Sequence, residues 1–171
     1  SLTAYPKGGR PLESASLDMV LFGLWDYRDF VGGGDALEKK LHFNTNFGLK
    51  GGWRMGASVL VEQYKYDPSL YTGYAVERHT GSVVDTVPFK GTARLNNLDY
   101  VLTFGTPQFR HFSLSGFLLW GRDVNFYEWS SADIGFATLD AEWRPTERIR
   151  IQGSYDWQWY DRATDGTRVG E

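Results

Sequence analysis

The chain has no cysteine. Disulfides and thiolate metal sites are therefore excluded, which suits an envelope protein without redox chemistry, although many cytosolic proteins also lack the residue. There is no run of about 18 apolar residues, so no transmembrane helix is encoded. An excess of one charge is missing too. Against 21 acidic side chains stand 18 basic ones, a formal net charge of −3 spread along the chain, with no basic stripe for nucleic acid. Only three histidines occur, His42, His79 and His111. None has a metal-ligand spacing, and no metal or cofactor is expected. Helix-favouring Ala/Leu/Glu/Lys runs are scarce.

What is present belongs to a pleated surface with many tight turns. Aromatic residues make up 16% of the chain, with Trp 7, Tyr 10 and Phe 11, and there are 20 glycines. The mean hydropathy is on the polar side. That does not count against a membrane barrel, whose strands average a lipid face with a polar lumen face. A length of 171 residues suits one domain and, at roughly 20–25 residues per strand with its connection, about seven or eight strands.

Seven strands are expected, over 15–29, 40–50, 53–66, 96–106, 111–123, 131–144 and 147–161. They run about 11–15 residues, longer than the five or six usual in soluble sheets and sufficient for a tilted membrane crossing. The last is the clearest. Ile149, Ile151, Gly153, Tyr155, Trp157 and Trp159 fall on one face, and Arg148, Arg150, Gln152, Ser154, Asp156 and Gln158 on the other. In the second, Leu41, Phe43, Thr45, Phe47 and Leu49 oppose Lys40, His42, Asn44, Asn46 and Lys50. The third sets Trp53 to Val61 against Arg54, Ser58 and Glu62, with parity failing near Tyr64 and Tyr66, where a bulge or a membrane edge is expected. Leu98, Tyr100, Leu102 and Phe104 oppose Asn97, Asp99 and Thr103, while Ala137 to Trp143 oppose Thr138, Asp140, Glu142 and Arg144. The first and fifth strands are apolar on both faces near Val20–Leu24 and Phe117–Leu119, so their facing stays open.

Connections alternate in length. Tight turns fall at Gly51-Gly52, around Pro107 and around Pro145, and longer loops at 30–39, 67–95 and 124–130. Short turns on one side and long loops on the other is the asymmetry of outer-membrane barrels. The expected fold is all-β, an antiparallel up-and-down meander forming all or part of a transmembrane β-barrel. It is one domain over 1–171, or a fragment of a larger barrel, with 1–14 as an amino-terminal extension and 67–95 as a long outer loop. Seven strands is odd where single-chain bacterial barrels are even. Three closures are open: a larger barrel with further strands, an eighth strand from 1–14 or 83–90, or several chains together. The first residue is Ser and no leader is visible, as expected if a leader has been removed or the chain is a piece of something longer.

The pattern resembles Gram-negative outer-membrane β-barrels generally. More narrowly, Arg144-Pro145-Thr146-Glu147-Arg148-Ile149-Arg150 running into Ser154-Tyr155-Asp156-Trp157-Gln158 and Thr164-Asp165-Gly166-Thr167 resembles a unit of one uncharacterised family. Its members are long bacterial envelope proteins in which a carbohydrate-binding-like domain precedes a barrel. The resemblance implies no catalytic residues, and nothing here corresponds to the amino-terminal soluble domain.

Two residue sets follow. Lys40, His42, Arg54, Glu62, Asp99, Asp140, Glu142, Arg144, Arg148, Arg150 and Asp156 are expected to face the lumen, hydrated, paired across strands or selecting solutes. Trp53, Phe104, Phe112 and Trp143 on the turn side, with Trp25, Tyr27, Trp120, Trp157 and Trp159 on the loop side, are expected as two interfacial belts. A soluble core or a sugar-binding face is the competing reading of these aromatics. His111 and Ser113 share a strand face without a third partner or an oxyanion donor, so catalysis is not expected. Gly32-Gly33-Gly34-Asp35 lacks the ending of a phosphate loop and reads as a flexible loop, and Asp161 with Asp165-Gly166 reads as a solvated turn rather than a calcium site.

The expected function is an integral outer-membrane channel, transporter or assembly component. Its partners would be the lipid bilayer, further strands and other envelope proteins. The alternatives are a soluble β-sandwich that binds carbohydrate and a barrel enzyme at the cell surface.

Overall fold

The computed structural model describes residues 1–7, 11–80, 82–89, 91–126, 129–162 and 168–170. Strands in chain order are β1 (Leu2–Ala4), β2 (Leu12–Leu24), β3 (Glu38–Leu49), β4 (Trp53–Lys65), β5 (Ala75–Thr80), β6 (Val83–Pro88), β7 (Arg94–Gly105), β8 (Phe112–Asn125), β9 (Ser130–Thr146), β10 (Ile149–Arg162) and β11 (Arg168–Gly170). A short helix α1 (Tyr27–Gly32) follows β2, and a 3-10 turn (Pro68–Tyr71) follows β4. No helix among the described residues is long and apolar enough to cross a membrane, which leaves crossing by strands untouched.

All-β antiparallel pairing organises the chain into one meander, in the order β1-β2-β3-β4-β7-β8-β9-β10-β11. Seven long strands carry it, matching the seven read from the alternation. The sheet is open: β1 and β11 are its edges, and no ladder among the described residues joins them. β1 covers only Ala15–Leu17 of β2, and β11 meets β10 only at Tyr160 and Asp161. Thus part of the 1–14 extension folds back as an edge strand. Val83–Pro88 pairs instead with Ala75–Thr80 in a separate hairpin. Strands β7 and β9, although β8 lies between them, approach within 8 Å at their Cα atoms. Strands two apart in a flat sheet are separated by about 9.6 Å, so the sheet curls here.

Several boundaries differ from expectation for local reasons. β2 stops at Leu24 rather than continuing to 29, because Asp26 enters α1 and Gly33, at φ 74, closes it with an N–H to the Asp29 carbonyl. Tyr27 therefore lies on a helix and not on a strand. The glycine run is tied rather than loose, since Asp35 meets Arg94 at 2.9 Å. The Arg94 guanidinium holds the Asp35 carboxyl below its ordinary value of 3.8. β4 carries no bulge: its register with β3 and β7 runs unbroken through Tyr64, which lies on the polar face, and the strand ends at Lys65. The irregularity comes at Pro145. There β9 and β10 skip a pairing between Ile149 and Ile151, because proline offers no N–H to the ladder. The turn moves to Glu147-Arg148, and β9 extends through Thr146.

The tightest apolar packing is not in the middle of the sheet but at its loop end, where strand ends and loops meet. Tyr71, Leu95, Val124 and Trp129 are buried together, with Tyr64, Tyr66 and Phe89 against them. The Trp129 indole N–H donates to the Thr92 carbonyl at 2.6 Å, and the Tyr71 hydroxyl to the Phe126 carbonyl at 2.5 Å. The 67–95 loop is thereby fastened to the β8–β9 loop.

Candidate functional site: the polar face of the sheet

Register places the polar residues on one face. Opposed pairs share a face in an antiparallel ladder. Following them across, Ser14, Gly48, Arg54, Gly105, Ser115, Asp140 and Ser154 form one row near the turns. His42, Leu60, Asp99 and Gly121 form a row nearer the loops. Lys40, Glu62 and Asp156 share that face. Arg144 and Arg150 reach it through Glu142, whereas Arg148 sits in the turn, off both strands.

The other face carries Trp53, Phe104, Phe112, Trp120, Trp143, Trp157 and Trp159, in register with Met55, Tyr100, Ala137 and Leu139. Trp25 lies just past β2 and meets Phe30 edge-on at 5.8 Å. Above Trp120 this face turns polar, where Arg122 and Asp133 pair at 3.2 Å. From Ile151 to Trp159 the β10 backbone climbs about 27 Å, at about 3.4 Å per residue. In β2 and β8 the ambiguous residues divide, Val20 and Phe22 joining the polar face with Phe117 and Leu119, and Leu21, Leu118 and Trp120 the apolar one.

Burial runs opposite to that of a protein folded around an apolar core. On β7, Asn97 and Asp99 are 2% and 3% exposed, while Leu98, Tyr100, Leu102 and Phe104 are 42%, 38%, 47% and 40% exposed. The curl of the sheet accounts for the burial if the polar face is on the inside.

Two ion-pair networks occupy the polar face. At the loop end, Glu62 accepts from Tyr64 at 2.6 Å and meets His42 at 2.7 Å, and Lys40 lies 2.6 Å from Glu38 and 3.8 Å from Glu62. At the turn end, Glu142 holds Arg144 at 2.6 Å, Gln152 at 3.1 Å and Arg150. Between them Thr138 donates to Asp156 at 2.7 Å. Among the described residues Arg54 and Asp140 make no ion pair, and Arg54 stands between two hollows of about 580 and 670 Å³ that mix polar and apolar lining, with Ser14, Asn46 and Thr103 in one and Gln108, Ser113 and Gln152 in the other. Sequence reasoning missed Glu38, Tyr64 and Asp123 as members of this face. Counting back by two from Lys40 and forward by two from Glu62 finds the first two.

The His111 Nδ1 lies 3.1 Å from the Arg144 carbonyl, and no hydrogen bond joins His111 to Ser113 among the described residues. No three His, Asp or Glu side chains among the described residues gather as a metal-ligand set. The side chain of His79, the segment Thr164-Asp165-Gly166-Thr167 and hence the Asp165-Gly166 turn lie outside the described residues.

Comparison with known proteins finds no match: no family model fits the chain, and no curated protein and no solved structure matches it.

Proposed function

We propose that this chain is part of the wall of a transmembrane β-barrel in a bacterial outer membrane, acting as a channel, transporter or assembly component. One observation carries the reading: along β7, Asn97 and Asp99 are buried while Leu98, Tyr100, Leu102 and Phe104 beside them are exposed. In water that arrangement leaves a continuous apolar sheet face hydrated, which soluble monomers avoid. Against lipid it is the favourable one, with the polar face around a water-filled lumen.

The open edges fit the same reading. β2 and β10 run in the same direction, since six alternating antiparallel steps separate them. Joining them directly would make a parallel pair. A lipid-embedded sheet must close, so an antiparallel barrel places at least one further strand, running the opposite way, between them. The β10 edge from Ile149 to Trp159 and the β2 edge from Met19 to Leu24 are where such strands pair. Further strands of the same barrel or other envelope proteins are the partners that chemistry admits.

A stacked pair, Tyr100 and Trp120 at 5.6 Å and 25°, lies exposed on the apolar face and is the platform that a sugar-binding module would use. Separating inner-membrane, outer-membrane and soluble fractions, then running the protein unheated and boiled on a gel, decides between the two. An outer-membrane band whose mobility changes on boiling supports the barrel. A soluble protein without that change, whose tryptophan fluorescence responds to glycans, replaces it with the binding module.

A further inference from the structure

We propose that the loop half of the polar face binds a divalent cation of the calcium class, held by the carboxylates of Asp99 and Asp123 with the Asn97 side-chain oxygen as third ligand. This goes beyond the barrel reading and does not depend on it.

The case begins with charge. Glu38, Glu62, Asp99 and Asp123 share this region with the bases Lys40 and His42. Both bases are engaged elsewhere: Lys40 with Glu38 and Glu62, and His42 with Glu62. No cationic side chain stands within ion-pair distance of Asp99 or Asp123 among the described residues. Asp123 Oδ1 accepts only from neutral donors, the Asn97 amide at 2.8 Å and the Val124 N–H at 2.6 Å.

Two unpartnered atoms then point to a ligand. Asp99 Oδ1 and Asn97 Oδ1 are buried and have no hydrogen-bond partner, and both residues are almost wholly shielded. Buried oxygens without donors in a native fold call for an ion or water. Both residues lie on the polar face of β7, two positions apart.

Register supplies the geometry. Leu98 opposes Arg122 and Asp99 opposes Gly121, so Asn97 and Asp123 are the next residues across from each other. Asp99 and Asp123 are therefore diagonal neighbours, with Cα atoms about 7–8 Å apart, close enough for both carboxylates to reach one ion. Gly121 leaves the space beside Asp99 Oδ1 free of a Cβ. Two carboxylates, one amide oxygen and water make an all-oxygen set, which calcium accepts in flexible geometry whereas magnesium needs it near-octahedral and gives up its own waters reluctantly. So few charged ligands place the affinity near the weak class of calcium modules, with a Kd of about 10⁻⁴–10⁻³ M.

The test is calorimetric titration of the whole detergent-solubilised chain with calcium chloride and, separately, magnesium chloride. Asp99→Asn, Asp123→Asn and the control Asp140→Asn, on the same face near the turns, are titrated alongside. Calcium is expected to bind the parent and Asp140→Asn alike and to bind both other variants at least tenfold more weakly. Each variant's fold is checked by its strand circular dichroism and urea midpoint, compared with the parent's. Absence of calcium heat at millimolar concentration, undiminished binding by folded Asp99→Asn and Asp123→Asn, or equally tight magnesium binding overturns the proposal. A protein that keeps its heat-dependent mobility yet binds no calcium loses only this inference. One that binds calcium but stays soluble without detergent loses only the barrel.

Discussion

Asp99 faces Gly121 across the β7–β8 ladder, and a Cβ built on Gly121 would stand 2.6 Å from the Asp99 carboxylate oxygen. Gly121 also has φ 151, a conformation L side chains rarely adopt. Both facts point the same way, so Gly121→Ala is expected to destabilise the fold by about 1–3 kcal/mol. A lower urea midpoint for Gly121→Ala than for the parent checks it. Gly153 is the control, because a Cβ there meets nothing within 4 Å, and Gly153→Ala should leave the midpoint unchanged or slightly raised.

The two faces of the sheet respond oppositely to charge if lipid covers the apolar one. Leu102 and Leu118 oppose each other in the middle of that face. Leu102→Arg is expected to cost about 2–4 kcal/mol for folding into vesicles, the range for a cation near the bilayer midplane. Ser115→Arg, on the polar face, is expected to cost well under half of that. Urea titration of vesicle-folded protein measures both. Equal, small costs would mean that Leu102 faces water.

Much of this fold was legible because a strand that touches two solvents must alternate. The faces of β3, β7 and β10 follow from parity alone, and register then brings Lys40, His42, Glu62, Asp99 and Asp140 onto one side, as the alternation implied. Where alternation fades, the reading faded with it. Val20, Phe22, Phe117 and Leu119 are apolar residues on the polar face, and only their cross-strand partners reveal it. The aromatic residues that continue past Leu24 favour a strand at Tyr27, whereas Asp26 and the αL glycine Gly33 turn the chain into α1. Parity counted back from Ile149 puts Arg148 on the polar face, but the strand begins only at Ile149 and Arg148 belongs to the turn. Asp123 escaped because it lies at the end of a strand, and its role comes from Asn97 on a neighbouring one. Long-range contacts of that kind leave no local periodicity to read.

The Asp35–Arg94 pair makes the α1 loop sensitive to acid. Arg94 lowers the Asp35 pKa below its ordinary value of 3.8, so the pair's contribution is fully present above that value. It is lost as pH falls through the lower, folded value. Asp67 follows the same sign, because the Ser69 hydroxyl and N–H stabilise its charged form. Amide exchange in 33–37 should therefore be flat from pH 7 to 5, after correction for the intrinsic pH dependence of exchange, and should accelerate below about pH 4. Asp35→Asn should show the faster exchange throughout and no added acid step. Unchanged protection of those amides in the parent under acid would mean the pair does not hold the loop.

Trp129 should be the residue on which the loop over 67–93 depends. It is the only described non-glycine residue with positive φ, at 45°, and its ring lies against Tyr66 and Tyr71 at 5.5 and 5.9 Å. A β-bearing side chain held in that conformation is kept there by what surrounds it. Trp129→Ala removes the ring contacts and the hydrogen bond to Thr92 while leaving the backbone strain, and should cost about 3–5 kcal/mol locally. Trp129→Phe keeps most of the packing and loses the N–H, for about 1 kcal/mol. Trp129→Gly should be milder than Trp129→Ala, since glycine adopts φ 45 without strain. Limited proteolysis between 67 and 93 reads the order directly: cleavage fastest in Trp129→Ala, slower in Trp129→Gly, slower again in Trp129→Phe and slowest in the parent. The sheet should keep its strand circular dichroism in all four, because Trp129 meets the meander only at the loop ends of β7 and β8, through Leu95 and Val124, and the ladders below them are untouched. Loss of sheet signal together with loop cleavage would show instead that the aromatic cluster and the sheet form one cooperative unit.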